Sequence, residues 1–265
     1  MQTASDPRIV AEIWPKGKTL PPPHGDIHAE RLFRKQRLAG ACRIFARLGY
    51  DMGGAGHITV RDPQFADRFW VNPYTVSFGR VCVSNLLLVD HAGQVVEGDG
   101  KLNRAAFAIH AQLHRLRPDV MAAAHSHSLH GKAWSTLGRT LDPLTQDACA
   151  FFEDHAAFET FSGVVYSEEE GERIGAALGD RKALILQNHG LLTVGASVQS
   201  AVWRYIGLEN ACQVQLMAEA AGKPVPIAPE VARHTRQQVG SEISGIYGFK
   251  PYWDDIVSAQ PDLLD

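Results

Sequence analysis

The sequence has little of what would place it in an easily recognised class. Four cysteines, Cys42, Cys82, Cys149 and Cys212, stand far apart in 265 residues with no CxxC pair. That spacing argues against a cysteine-rich metal module or a disulfide framework. The apolar stretch around each predicts buried free thiols in a reducing compartment. No run approaches the roughly 20 apolar residues of a membrane span. The first 18 residues also lack the apolar centre of a secretory leader. An excess of one charge is missing too, since 26 basic and 29 acidic residues leave a formal net charge of −3. Such a balance gives no electrostatic footing for nucleic acid or for an anionic membrane surface. With no repeat and no low-complexity tract, the expectation is a cytoplasmic, globular protein.

Hydrophobic residues make up 45% of the chain, enough for one large core. Residues 1–27 are rich in proline and glycine and read as an extended arm. Residues 28–265 read as one domain, with a polar tail from about 223. Helical spacing is clear in HAERLFRKQRLAGACRIFARL (28–48), with Leu32, Leu38, Cys42, Phe45 and Leu48 as its apolar positions. It recurs at 104–119, 167–179 and 197–222, and HGKAWSTLG (130–138) resembles a further helix. Strands are predicted in HITVR after the GGAG turn, in FWVNP, VCVSNLLLVD and QVVEGDG, in VMAAAHSHS (120–128), and on both sides of the NHG turn in KALILQNHGLLTVG. The segment LDPLTQDACAFFEDHAAFE reads as a loop. Helices and strands alternate irregularly, which points to an α/β fold around a mixed or antiparallel sheet.

Within AAAHSHSLHGKAWS (122–135), three histidines occupy six positions. Residues i and i+2 of a strand share a face, so His125 and His127 can converge on one ion. Two hydrogen-bonded imidazoles at a strand end would show the same spacing. His189, between two apolar runs and beside Gly190, needs a partner, because an unpaired buried imidazole is costly. A third position on the same metal would satisfy it. The other nine histidines stand mostly in polar surroundings and are expected to be solvated. Asp154 and His155 read as a structural acid–imidazole pair, and Lys101 as solvated.

These ordered elements resemble the class II aldolase/adducin family over about residues 30–222. The HxH strand matches His125 and His127, the NHG turn matches His189, and GHITVR matches a glycine-rich phosphate-loop strand. The resemblance implies a nine-stranded sheet flanked by helices, one divalent metal per subunit, and a homotetramer with active sites at subunit interfaces. It also exposes departures. Aligned without gaps, Arg104 and Ala105 stand where the aldolases carry two serines, Ala106 stands for their catalytic glutamate, and His57 stands for an asparagine of the phosphate loop. Losing those donors disfavours a sugar phosphate, and losing the glutamate removes the usual base.

Arg104 suits a carboxylate instead, and His57 titrates near neutrality and could act in proton transfer. The phrases NRAAFAIH and DPLTQDACAFF are closer to two branches of the family. One comprises decarboxylases of hydroxylated aromatic carboxylates; the other comprises iron(II)-dependent oxygenases of aminocoumarin pathways. The expectation is therefore a carbon–carbon lyase on a small hydroxyaryl or hydroxy-carboxylate, using Mn, Zn or Fe. An oxygenase and an adducin-like scaffold without catalysis are the alternatives.

Overall fold

A computed structural model describes residues 25–265, so the arm expected over residues 1–27 lies almost wholly outside it. Among the described residues, one eight-stranded sheet is built from β1 (His57–Arg61), β2 (Arg68–Val71), β3 (Leu87–Asp90), β4 (Val95–Glu97), β5 (Ala122–Ser126), β6 (His155–Phe158), β7 (Ala183–Leu186) and β8 (Gly190–Gly195). Its strand order is β4-β3-β2-β1-β5-β8-β7-β6. Every neighbouring pair is antiparallel except β6 with β7. The class is as the sequence predicts. The resemblance implied nine strands, one more than the eight described here.

Two helical layers cover the sheet. On one face, α2 (Arg104–Leu116) and α4 (Glu168–Leu178) bury Ile109, Leu113, Ile174 and Leu178 against Ala123, Leu184, Leu192 and Val194. The other face takes α1 (Ile27–Arg47), α3 (Leu129–Ser135), α5 (Val198–Ala221) and α7 (Glu242–Ala259), packed on Ile58, Val60, Ala122, Ala124 and Leu191. The period-2 alternation of β1 and β5 thus sends Ile58 and Ala124 to one layer, and His57, Thr59 and His125 to the other.

Several details depart from the sequence reading. Of the five apolar positions expected over residues 28–48, Leu38, Cys42 and Phe45 are buried, whereas Leu32 and the C-cap Leu48 are 48% and 37% exposed. The stretch 81–90 is not one strand. The Asn85 side chain accepts from the Cys82 amide at 3.1 Å and donates to the Arg80 carbonyl, which folds Val83–Asn85 into a 3-10 turn before β3. Cys82 is half-buried, while Cys42, Cys149 and Cys212 are buried, and all four are free thiols.

The segment 141–159, expected as a loop, contains β6. The polar tail contains α6 (Pro229–Val239) and α7, which docks on α5. That docking needs small residues, since a Cβ on Gly245 would stand 2.7 Å from Ser200 Cα, and one on Gly248 would stand 2.2 Å from Trp203 Nε1. Among the described residues no helix is long and apolar enough to cross a membrane.

The α2–α4 contact is just as close. A Cβ on Gly171 would lie 2.0 Å from the Ala108 carbonyl oxygen, whereas Gly222 has open space around it. Gly171→Ala should therefore cost about 2–3 kcal/mol and lower Tm by roughly 5–10 °C. Gly222→Ala should stay within about 0.5 kcal/mol. Thermal unfolding of the pair checks both.

Candidate metal centre

Three chain segments meet at one end of the sheet. Ala122, Ala123 and Ala124 are completely buried, so β5 can run through the middle of the sheet and deliver His125 at its end. The His125 ring sits beside β8, with Nδ1 2.8 Å from the Leu191 carbonyl. A carbonyl only accepts, so Nδ1 carries the hydrogen and Nε2 keeps its lone pair. His127 follows two residues on, just past the strand end.

His189 comes from the tight turn between β7 and β8. Asn188 holds that turn with a left-handed φ of 56°, a conformation asparagine tolerates better than most residues. The Asn188 amide donates to the Ser135 carbonyl at 3.2 Å. Glycine is required at 190, because a Cβ there would lie 2.8 Å from the Ser126 carbonyl oxygen. Gly56 does the same service on the other side. Its φ is 111°, and a Cβ would come within 3.2 Å of the His125 carbonyl oxygen.

The rings of His125 and His189 are 4.7 Å apart, those of His127 and His189 4.8 Å, and those of His125 and His127 5.2 Å. One nitrogen from each lies within 4.8 Å of the other two. A tetrahedral ion with nitrogens at 2.0–2.1 Å needs donors about 3.3 Å apart, within reach of small ring rotations. All three rings have lowered pKa values. Burial is the main cause in each, followed by His189 for His125, by Lys132 for His127, and by His127 for His189, which is pushed down to about 4. Neutral imidazoles with a free lone pair are the form that a divalent cation binds, so the donor set fits a metal.

Of the other site residues expected from the sequence, His57 lies beside this trio and Arg104 does not touch it. His57 pairs across β1 with His125, ring centroids 4.8 Å apart, and is buried. Arg104, the first residue of α2, is exposed and makes no contact with the three imidazoles in the structure. Its neighbour Asn103 caps the helix and donates to the Gly54 carbonyl in the loop that leads to His57. Ala106, expected at the position of the family glutamate, is buried one turn before His110. His155 is structural, as expected, but its partners are backbone groups. Its Nδ1 lies 2.6 Å from the Phe151 carbonyl and its Nε2 accepts from the Leu141 amide at 2.8 Å, while Asp154 pairs with Lys182.

The expectation that the remaining histidines are solvated does not hold for His57, His110, His114 and His155, which are buried. Helix period explains His110 and His114. They stand four apart on the inward face of α2, with Ala106 and Leu113 as neighbours on that face. Glu209 was not anticipated either. From the middle of α5 its carboxylate accepts from the backbone amides of His130 and Gly131 at 2.9 and 2.6 Å, and from Ser128 Oγ at 2.5 Å. It therefore anchors the start of α3, immediately after the HxH pair.

Residues 36–216 match the family described as Class II Aldolase and Adducin N-terminal domain. The chain belongs to that family. Similar relatives of this class II aldolase/adducin protein include decarboxylase NovR of Streptomyces niveus, 47% identical and covering 91% of each chain. Another is the 4-hydroxy-3-prenylphenylpyruvate oxygenase/4-hydroxy-3-prenylbenzoate synthase of Streptomyces roseochromogenus subsp. oscitans, 46% identical over 91% of this chain and 88% of its own. Among solved structures, the L-fuculose 1-phosphate aldolase from Glaciozyma antarctica PI12 superposes with a TM-score of 0.86. It is 43% identical and covers 92% of this chain and 96% of its own.

The titration of the trio has a measurable consequence. His189 stays neutral down to about 4 in the fold but titrates near 6.5 when unfolded. Between those values the unfolded chain binds the extra proton. Metal-free protein should therefore lose stability as pH falls from about 6.5 to about 4, by up to about 3 kcal/mol from this ring, with no contribution above that range. Denaturant midpoints with chelator present check this, and His189→Gln should flatten the slope.

Proposed function

We propose that the chain is a divalent-metal-dependent carbon–carbon lyase, a decarboxylase of a hydroxyaryl or related hydroxy-carboxylate, with the metal held by His125, His127 and His189. The observation that carries the reading is the convergence of three neutral imidazoles at one end of the sheet. When bound there, a cation supplies an electron sink by polarising the substrate oxygens as carbon dioxide departs. Manganese, zinc and iron all suit this donor set.

The chain's own residues handle the proton and the charge. His57, beside His125, takes the proton of the substrate hydroxyl and returns it to the carbon that loses its carboxylate, so no proton is gained or lost overall. The first turn of α2 extends past His110, and hence past His57, toward the same end of the sheet. Arg104 can reach from there to a second carboxylate. With Ala106 in place of a glutamate and His57 in place of an asparagine, a sugar phosphate would lose the family's carboxylate base and its phosphate-loop amide donor. The chain therefore parts from relatives named as aldolases. The relatives named decarboxylase and hydroxyaryl oxygenase support an aryl acid as substrate. We further propose a cytoplasmic homotetramer.

The 46% identical relative named as an oxygenase favours one second reading, iron(II)-dependent oxygenation of the same class of acid. A non-catalytic scaffold is disfavoured by the intact imidazole trio. Metal analysis after purification should find one ion per subunit, lost in the His125→Ala/His127→Ala variant. Metal-free protein that remains folded would favour the scaffold. Turnover of hydroxyaryl acids under anaerobic conditions with Mn²⁺ is the expected result, whereas turnover only with Fe²⁺ and air would replace the decarboxylase by the oxygenase.

A further inference from the structure

His57 does not stand alone. Its Nδ1 lies 3.0 Å from His110 Nε2, His110 Nδ1 lies 2.7 Å from Thr59 Oγ1, and Thr59 Oγ1 lies 3.0 Å from His114 Nε2. All four side chains are buried. His57 and Thr59 project from one face of β1, and His110 and His114 stand one helical turn apart on α2. Strand period and helix period thus line four polar groups into a single file. That file starts at the ring beside His125 and runs away from the metal centre.

The direction of each hydrogen bond follows from what the partners allow. A neutral imidazole has one N–H and one lone pair, and a hydroxyl donates once. Burial keeps the two α2 rings neutral. It is reinforced by His114 and His125 around His110, and by Arg61 and His91 around His114. Among the described residues the Thr59 hydroxyl has no other partner, so its hydrogen goes to one ring and its lone pair takes a hydrogen from the other. All three bonds must then run the same way.

The far end of the file decides which way. His114 Nδ1 has no well-aligned partner, and the group that favours a proton on that ring is the Val120 carbonyl. A carbonyl accepts and cannot donate, so a lone pair facing it would be repelled whereas an N–H would not. His114 therefore carries its hydrogen on Nδ1 and accepts from Thr59 through Nε2. Thr59 accepts from His110 Nδ1–H, and His110 Nε2 accepts from His57 Nδ1–H.

We propose that Thr59, His110 and His114 are positioning residues that fix His57 in the Nδ1–H tautomer, so that its Nε2 meets the site as a bare acceptor. All three histidines of the file then share the tautomer that free histidine disfavours. The tautomers follow from the hydrogen-bond file and from the Val120 carbonyl beside the His114 ring, and their consequence rests on the lyase reading. In that reading the first proton transfer is from the substrate hydroxyl to His57 Nε2, and His57 cannot begin as the donor.

The test is a long-range ¹H–¹⁵N correlation spectrum of the full-length chain, labelled at histidine, at neutral pH with Zn²⁺ added. The expected result is Nδ1–H for His57, His110 and His114. Thr59→Val should turn His57 and His110 into tautomer mixtures, and Thr59→Ser should preserve the pattern. In parallel, kcat should fall roughly tenfold or more in Thr59→Val with KM little changed, and recover in Thr59→Ser. A resting Nε2–H at His57, or an unchanged His57 in Thr59→Val, would overturn the proposal. Should Thr59→Val not fold, the wild-type and Thr59→Ser spectra still decide. If the tautomers are as stated but kcat does not respond, the file stands and the proton-transfer role of His57 falls.

Discussion

The hydrogen bond between the His125 ring and the Leu191 carbonyl, 2.8 Å long, orients everything else at this site. It ties the end of β5 to β8, settles which nitrogen of His125 bears the hydrogen, and turns the other nitrogen to the open side. An imidazole buried in a sheet has two nitrogens to satisfy, and the backbone here satisfies only one. His127 and His189 crowd the same space, and burial keeps all three rings neutral. Each of the three neutral rings keeps one lone pair, and a single cation could bind all three. That convergence is the physical argument for a metal, independent of any likeness to other proteins.

The scaffold supports this arrangement by close backbone approach. Gly190 lets the β7–β8 turn pass the end of β5 at a distance no side chain would permit, and Gly56, at a φ of 111°, gives the β1 entry a left-handed backbone in tight contact with the same strand end. Glu209 fixes α3 directly after the HxH pair, so the segment carrying His127 is held on both sides. Behind the trio, the polar file of His57, His110, Thr59 and His114 replaces what would otherwise be apolar core. A cluster of buried histidines costs stability unless its hydrogen bonds are made, and along the file three of them are made.

Much of the site was legible in the sequence, and the reasons are local. The HxH pair follows a run of alanines in strand period, and His189 sits between two apolar runs beside a glycine, so both patterns carry their own signal. The file was not legible, because His110 and His114 stand among polar letters in HAQLHRLR and only the helix period turns them inward. The strand β6 escaped because four residues, HAAF, follow an acidic turn and carry little β preference. Helix α7 was hidden by Gly245, Gly248 and Pro251, residues that argue against a helix when read one by one. The glycines are there because α7 packs tightly on α5, which is information held by the tertiary contact. Arg104 was legible as a cation at the start of α2, where the structure leaves it exposed.

X-ray absorption spectroscopy of the metal-loaded protein reads the coordination shell itself. For zinc the expected first shell is three imidazole nitrogens at about 2.0–2.1 Å, completed by one or more exchangeable oxygens, with one imidazole lost in His189→Ala. A shell with fewer than three imidazoles, or one unchanged by that substitution, would contradict a metal held by His125, His127 and His189.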